Sequence, residues 1–370
     1  MSRIKTICFM NSNKVWGGGE KFVLDHARRC LEAGYKVHVL ANKGSSLAQK
    51  AAQERGVRLH TMRLGNLSFL NPFKRMALRR LLRSMGPESL ALVMALPSDL
   101  KIGGPAARRV GVGRIVFRRG IAVPVRNSLL NRHLYGRVID RLIVNSGETK
   151  RCVLANNKRL IPHDRIFLAY NGFDVEAFDA LPDEPLLPKQ GETLIIGCAA
   201  RLTRQKGQRH LLQAVRILLD EGRDIRLVLA GEGSDLETLQ ALALGLEIED
   251  KVEFLGFVED TKRFYASLDI VALPSLWEGF GYALVEAMTM ELPVVAFDTS
   301  SIPEVVKDGV TGLLADTGDT QALAQALDKL VLDPDLRKQL GRAGRRRVLD
   351  KFHSRKAFAD FLKAVTGDHP

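Results

Sequence analysis

An apolar run at residues 4–10 gives way at Asn11 to a polar, glycine-rich stretch that ends at Gly19. This pattern predicts a buried strand and a loop, then a helix over residues 20–33 that Gly34 stops. Residues 36–40 supply the next strand. The same alternation returns with strands at 142–145, 194–199, 227–230, 252–254, 270–273 and 293–297, and with helices at 207–219 and 236–244. Strands apolar on both faces and separated by helices belong to parallel sheets covered on both sides, so the expected class is α/β with two Rossmann-like lobes. Residues 180–191, with Pro182, Pro185 and Pro188 in a polar setting, interrupt both periodicities and read as the linker. Residues 334–365 read as helical with a break near 351–354, and no fixed-period repeat is present.

Length agrees with two domains, since 370 residues exceed what one core organises. A composition 46% hydrophobic and 26% charged excludes a disordered or collagen-like chain. Cys8, Cys30, Cys152 and Cys198 form no C-x-x-C pair, which argues against a zinc ribbon or a disulfide scaffold and fits a reducing cytoplasm. The apolar run at the start is too short for a signal peptide, and no stretch approaches the roughly 20 apolar residues of a membrane span. The expectation is a cytoplasmic protein, soluble or peripheral on the inner face of the membrane. Net charge is +13 but uneven: residues 1–180 hold 32 Lys+Arg against 12 Asp+Glu, and the remainder 23 against 30. A basic first half of +20 beside a second half of −7 calls for an anionic partner: RNA, phospholipid or a phosphorylated substrate.

Three blocks carry candidate chemistry. In residues 275–297, Glu278 and Glu286 flank Gly279, Phe280 and Gly281, which lead into an apolar helix. Free N–H groups and the positive end of a helix dipole suit an anionic or hydroxylated ligand, with one carboxylate in the loop and one in the helix to accept hydrogen bonds. The bland alternative is two solvated carboxylates. Residues 199–207 follow a strand and present Arg201 and Lys206 where open α/β sheets bind ligands; the alternative is a pair of solvated cations. Trp16–Glu20, WGGGE, lets backbone approach a phosphate or sugar closely but matches neither a dinucleotide fingerprint nor a P-loop. The lone D-x-D, Asp333 to Asp335 around Pro334, reads as a helix cap and not as a metal site.

In this order the blocks resemble the retaining glycosyltransferases of family 4 (glycosyltransferase group 1), which have the GT-B fold. The resemblance runs nearly end to end, through 16–20 (WGGGE), 144–150 (VNSGETK), 170–174 (YNGFD), 201–207 (RLTRQKG) and 229–233 (LAGEG). It continues through 254–260 (FLGFVED), 273–288 (LPSLWEGFGYALVEAM) and 303–314 (PEVVKDGVTGLL). It implies an acceptor lobe at 1–180 joined by a returning C-terminal helix at 351–370, a donor lobe at 181–350, and a cleft between them. The roles it implies are residue by residue. Arg201 and Lys206 hold the donor diphosphate, Glu286 the ribose hydroxyls, and Glu278 with the amides of Phe280 and Gly281 the transferred sugar. The base lies against Gly256, Phe257 and Val258, and Gly18 and Gly19 close over phosphates or acceptor. The donor is a nucleotide sugar, UDP favoured and GDP second. No metal or other cofactor is expected, because Arg and Lys supply the positive charge.

One departure stands out: relatives often carry a His after the strand that corresponds to residues 115–117, and here Arg118, Arg119 and Gly120 follow. Arginine cannot act as a general base, so these read as phosphate ligands of acceptor or donor, with His133 as a substitute His or a surface residue. Residues 66–85 interleave apolar and basic positions; their helix either enters an anionic membrane interface or turns its stripe to the core. The implied partners are a nucleotide sugar and a phosphorylated lipid, lipopolysaccharide or other glycan acceptor, with an anionic membrane surface and no nucleic acid. Two other readings stand beside this one: a soluble transferase or sugar-nucleotide hydrolase with a small acceptor, and an RNA-binding module using the basic half, for which no RNA motif speaks.

Overall fold

The computed structural model describes residues 4–189 and 191–367. The chain divides into two units, one running from the amino terminus to Asn171 and resumed from Arg355, the other Gly172–Ser354. The first holds seven parallel strands: β1 (Thr6–Asn11), β2 (Lys36–Asn42), β3 (Val57–Met62), β4 (Leu90–Met94), β5 (Arg114–Arg119), β6 (Arg141–Val144) and β7 (Ile166–Leu168). Their order is β3-β2-β1-β4-β5-β6-β7. Central β1 is buried at every position. Its alternate residues feed two cores, Cys8 and Met10 on one face and Ile7 and Phe9 on the other. Helix Gly18–Glu32 and the last helix, Ser354–Thr366, close that second face, where Phe361 stacks on Phe9 at 6.0 Å between ring centroids.

The second unit holds β8 (Leu194–Ala199), β9 (Ile225–Ala230), β10 (Val252–Gly256), β11 (Ile270–Leu273), β12 (Val294–Asp298) and β13 (Leu313–Asp316), in the parallel order β10-β9-β8-β11-β12-β13. Each sheet therefore reverses its winding once, between β1 and β4 and between β8 and β11, and open α/β sheets bind ligands at such points.

Strands β3, β4, β7 and β13 lie outside the pattern read from the sequence. Three are short or polar edge strands, and β3 carries Arg58, His60 and Thr61 in a half-exposed row. Strand β4 runs into Ala95 and Leu96 with no change of polarity, so periodicity has no edge to detect.

The segment 180–191 is not a free linker. Leu186 N–H donates to Arg263 O at 3.0 Å, Leu187 N–H to Ser267 Oγ at 2.9 Å, and Lys189 pairs with Asp269 at 3.1 Å, so this stretch straps onto the second unit. Gln190 lies outside the described residues. The crossing falls at 171/172 instead, and the return at 354/355. Helix Pro72–Ser84 turns Leu78 and Leu82 fully into the core, which settles the orientation of its main stripe. No helix among the described residues is long and apolar enough to cross a membrane.

Candidate active site

In the second unit, the loops after β8 and β11 meet at the reversal point. Lys206 Nζ lies 2.5 Å from Glu278 Oε1, with the two side chains only 16% and 8% exposed. Ser275 Oγ donates to the same oxygen at 2.8 Å. Glu278 is therefore not a solvated charge but a held acceptor, and Lys206 keeps two further N–H donors for another anion. The loops are stitched together by Leu276 N–H to Gln205 O (2.8 Å) and Gln205 Nε2 to Trp277 O (2.9 Å). Gly207 makes this approach possible: its φ is +66°, and a Cβ there would stand 2.0 Å from Pro274 O. Beneath the pair, burial pushes the Cys198 thiol up to about 12, so it is no nucleophile.

Helix Tyr282–Thr289 begins after Gly281, whose φ is +92°. Glu286 is its fifth residue, one turn inside, as the spacing predicts. Fully buried Tyr265 donates its hydroxyl to Glu286 Oε2 and Ala283 O, both at 3.2 Å. Burial first, then the neighbouring carboxylate, hold that phenol protonated well above its ordinary value, so it remains a donor. Tyr265 positions Glu286, and nothing in the linear pattern marks it: it is one of two adjacent aromatics, with Phe264, in a short helix, Thr261–Ala266.

The remaining donor-side candidates scatter around this centre. Arg201 is exposed just beyond β8, with its carbonyl held by Gln208 Nε2 at 2.9 Å. Gly256 ends β10 with φ +68°, followed by Phe257, 72% exposed, and half-buried Val258. Phe280 is buried, its ring edge-on to Phe352 (5.4 Å) and Tyr282 (5.2 Å), so its side chain braces the loop. Asp333 caps helix Pro334–Arg347 by accepting from Leu336 N–H at 2.8 Å.

In the first unit, the glycine-rich turn also lies at a reversal point. Gly18 and Gly19 open the first helix, and buried Glu20 accepts from Asn11 Nδ2 at 2.8 Å, tying the turn to the end of β1. Fully buried Asp99 accepts from Ser12 N–H (3.2 Å) and Leu96 N–H (3.0 Å); burial pushes its carboxyl up to about 7. Arg118 is buried, donating to Asn171 Oδ1 at 2.7 Å with its guanidinium 4.1 Å from the Phe22 ring centroid, while half-buried Arg119 donates to Val123 O. His133 stands exposed at the end of helix Leu129–His133.

Comparison with known proteins follows this division. Residues 16–177 match Glycosyltransferase Family 4 and residues 183–347 match Glycosyl transferases group 1. The capsular polysaccharide biosynthesis glycosyltransferase CapM of Staphylococcus aureus is 31% identical over 196 residues, 51% of this chain and 50% of that one. A GDP-mannose-dependent α-(1-6)-phosphatidylinositol monomannoside mannosyltransferase of Mycolicibacterium smegmatis is 29% identical over 308 residues, 78% of this chain and 79% of that one. The chain spans about half the length of the first curated relatives it matches. Among solved structures, a glycosyltransferase from Rickettsia africae superposes with a TM-score of 0.86 at 21% identity, covering 98% of both chains. Anabaena Alr3699/HepE in complex with UDP does so at 0.81 and 19%, covering 98% of this chain and 100% of that one. At those identities the likeness is one of fold. With two consecutive family matches lying on two Rossmann-like units, the chain belongs to the GT-B glycosyltransferases of group 1 and family 4.

Proposed function

We propose that the chain moves a hexose from a nucleotide sugar, UDP-linked by preference, to a phosphorylated lipid-linked, lipopolysaccharide or other glycan acceptor, with retention at the anomeric carbon and without a metal. The observation that carries this reading is the buried Lys206–Glu278 pair at the reversal point of the second sheet, with Arg201 exposed just beyond β8 and Glu286 one turn inside the helix that follows the Glu278 loop. As the bond from the sugar to the β-phosphate breaks, negative charge builds on the departing oxygen, and a pre-placed ammonium and guanidinium stabilise it with little reorganisation. Glu286, oriented by Tyr265, accepts from ribose hydroxyls; Glu278 and the loop amides accept from and donate to the sugar. The acceptor hydroxyl attacks from the face the nucleotide leaves, giving its proton to a phosphate oxygen. Support for UDP comes from the HepE fold neighbour, which was solved with it; GDP, named for the mycobacterial relative, is second.

The test is a nucleotide-sugar panel by thermal shift, since a ligand at a hundred times its Kd adds about 2.7 kcal/mol. Transfer should fall by orders of magnitude in Arg201→Ala, Lys206→Ala and Glu286→Ala without unfolding, and wild-type transfer should survive EDTA. Wild-type turnover in all three variants would sink the site assignment, and an inverted anomer in the product would sink the retaining chemistry.

A further inference from the structure

The second unit has another feature just past the carboxyl end of helix Tyr282–Thr289, whose other end is the Gly281 turn. A recess of about 690 Å³ is lined there by four cations of helix Pro334–Arg347: Lys338, Arg342, Arg345 and Arg346. Its walls are fixed. Gly341 lies so close to the end of helix Tyr282–Thr289 that a Cβ there would stand 1.8 Å from Glu291 O, and Arg345 donates to Thr289 O and pairs with Asp179 at 2.5 Å. Lys338, Arg342 and Arg346 are exposed and have no acidic partner among the described residues. Two carboxylates, Glu291 and Asp335, and the Gln339 amide share the recess with them.

Three local choices here run against stability. Lys338, Arg342 and Arg346 follow one another at i, i+4 and i+8, about 6 Å apart along the helix, a spacing at which like charges destabilise it. The row stands in a unit whose net charge is −11, so it is no share of a general basic surplus. Glu291 has φ +58° at the position where a helix ordinarily ends in glycine: its N–H donates to Met288 O and that of Leu292 to Ala287 O, both at 3.1 Å. It also sets a negative charge at the negative end of the helix dipole. An anion on the cations offsets the repulsion, and hydroxyls offered to the carboxylates give Glu291 a use that glycine could not serve. One ligand class brings both groups: a small phosphate ester carrying free hydroxyls. A recess of this volume is of the size that encloses such a molecule.

We propose that this recess binds a small hydroxylated phosphate ester, the phosphate held by Lys338, Arg342 and Arg346 and the hydroxyls by Glu291, Asp335 and Gln339. The proposal is independent of the transferase reading, because it uses no residue of that site and its readout is equilibrium binding, not turnover.

The test is titration calorimetry of the full chain with ribose 5-phosphate, ribose and inorganic phosphate at constant ionic strength. Ribose 5-phosphate should bind one to one, inorganic phosphate about tenfold more weakly, and ribose not detectably. Arg342→Ala with Arg346→Ala should lower affinity for the ester about tenfold or more, with a melting temperature no lower than wild type because the like-charge row is relieved. Arg345 is left in place because it also holds Thr289 and Asp179. The matched loss of two exposed cations elsewhere in the unit, Arg209→Ala with Lys307→Ala, should leave affinity near wild type. So should Lys206→Ala, which separates the recess from the donor diphosphate site. Glu291→Gly restores the usual helix end: it should melt higher than wild type, bind the ester several-fold more weakly and bind inorganic phosphate at least as well. Inorganic phosphate binding as tightly as the ester, unchanged affinity in the arginine pair or in Glu291→Gly, equal loss in the control pair, or loss in Lys206→Ala would overturn the proposal. So would binding of poly-glutamate with none of ribose 5-phosphate, which would make the row a protein-docking surface.

Discussion

At the donor site the two loops approach closely at Gly207, and replacing it with Ala should separate two effects. The first is conformational: an L side chain at φ +66° costs about 1–2 kcal/mol. The second is steric. The new Cβ would stand 2.0 Å from Pro274 O, and relieving that contact requires the β11 loop to retreat by about 1 Å or more. Pro274 leads directly into Ser275 and Glu278, so the retreat draws the carboxylate away from Lys206. Gly222→Ala is the matched control: its φ is +76° but its Cβ would meet open space. For a unit of this size 1 kcal/mol is about 2–4 °C in Tm, so the control should melt about 2–8 °C lower with unchanged UDP affinity. Gly207→Ala should melt lower still, and its transfer rate should fall about a hundredfold, the scale of an ångström's misplacement. Thermal melts, UDP titration calorimetry and transfer kinetics on both variants decide it. If the two variants are indistinguishable in all three, close loop packing does not hold the Lys206–Glu278 pair, and the reasoning fails.

Other consequences are testable in the same way. Tyr265→Phe removes the donor to Glu286 and should cost about 1 kcal/mol of stability, raising KM for the nucleotide sugar about tenfold while kcat changes little; a proportional loss of kcat would contradict a positioning role. Asp333→Ala should destabilise by about 1 kcal/mol through its lost helix cap and leave turnover in EDTA untouched. Buried His26, packed at 3.8 Å on Phe22, is lowered to about 3 by burial and then by Arg118, so it contributes stability that is lost as pH falls from about 6.5 toward 3. Asp99, raised from 3.8 to about 7, does the reverse, its carboxyl binding protons in the fold that the unfolded chain has released, so stability falls as pH rises from about 4 to 7. These opposed slopes offset each other between about pH 4 and 6.5. Asp99→Asn should therefore steepen acid-side loss in a Tm–pH profile, and parallel profiles would show that Asp99 does not titrate in this window.

Much of the site is local in sequence and was legible there. Arg201 to Gly207 and Glu278 to Glu286 are short segments following apolar strands, and a strand end that opens into a glycine turn and a helix signals its geometry within a dozen residues. Their meeting is not local. Lys206 and Glu278 are 72 residues apart, and they touch because β11 returns to lie beside β8, with β9 and β10 on the other side. A hydrophobic pattern records which residues are buried, not which strands become neighbours, and so it marked the loops but not the ion pair, nor Tyr265 behind Glu286.

Surfaces divide in the same way. The uneven charge was plain from composition, and placing the boundary at 171/172 with the return at 355 sharpens it from +20 and −7 to +24 and −11. The polar, proline-rich segment at 180–191 has the composition of a linker, but main-chain hydrogen bonds to Arg263 and Ser267 bind it to the second unit, because proline removes its own donor without preventing its neighbours from pairing. The mixed apolar and basic run at 66–85 left two orientations open. Packing resolves it by taking Leu78 and Leu82 inward and leaving Leu67, Leu70, Phe73 and Met76 in water. Local residue order settles which segments are strands, turns and helix starts, since those depend on neighbours along the chain; which cations gather around one recess and which apolar residues find no partner depends on long-range packing, where the same side chain is core or surface according to what lies across from it.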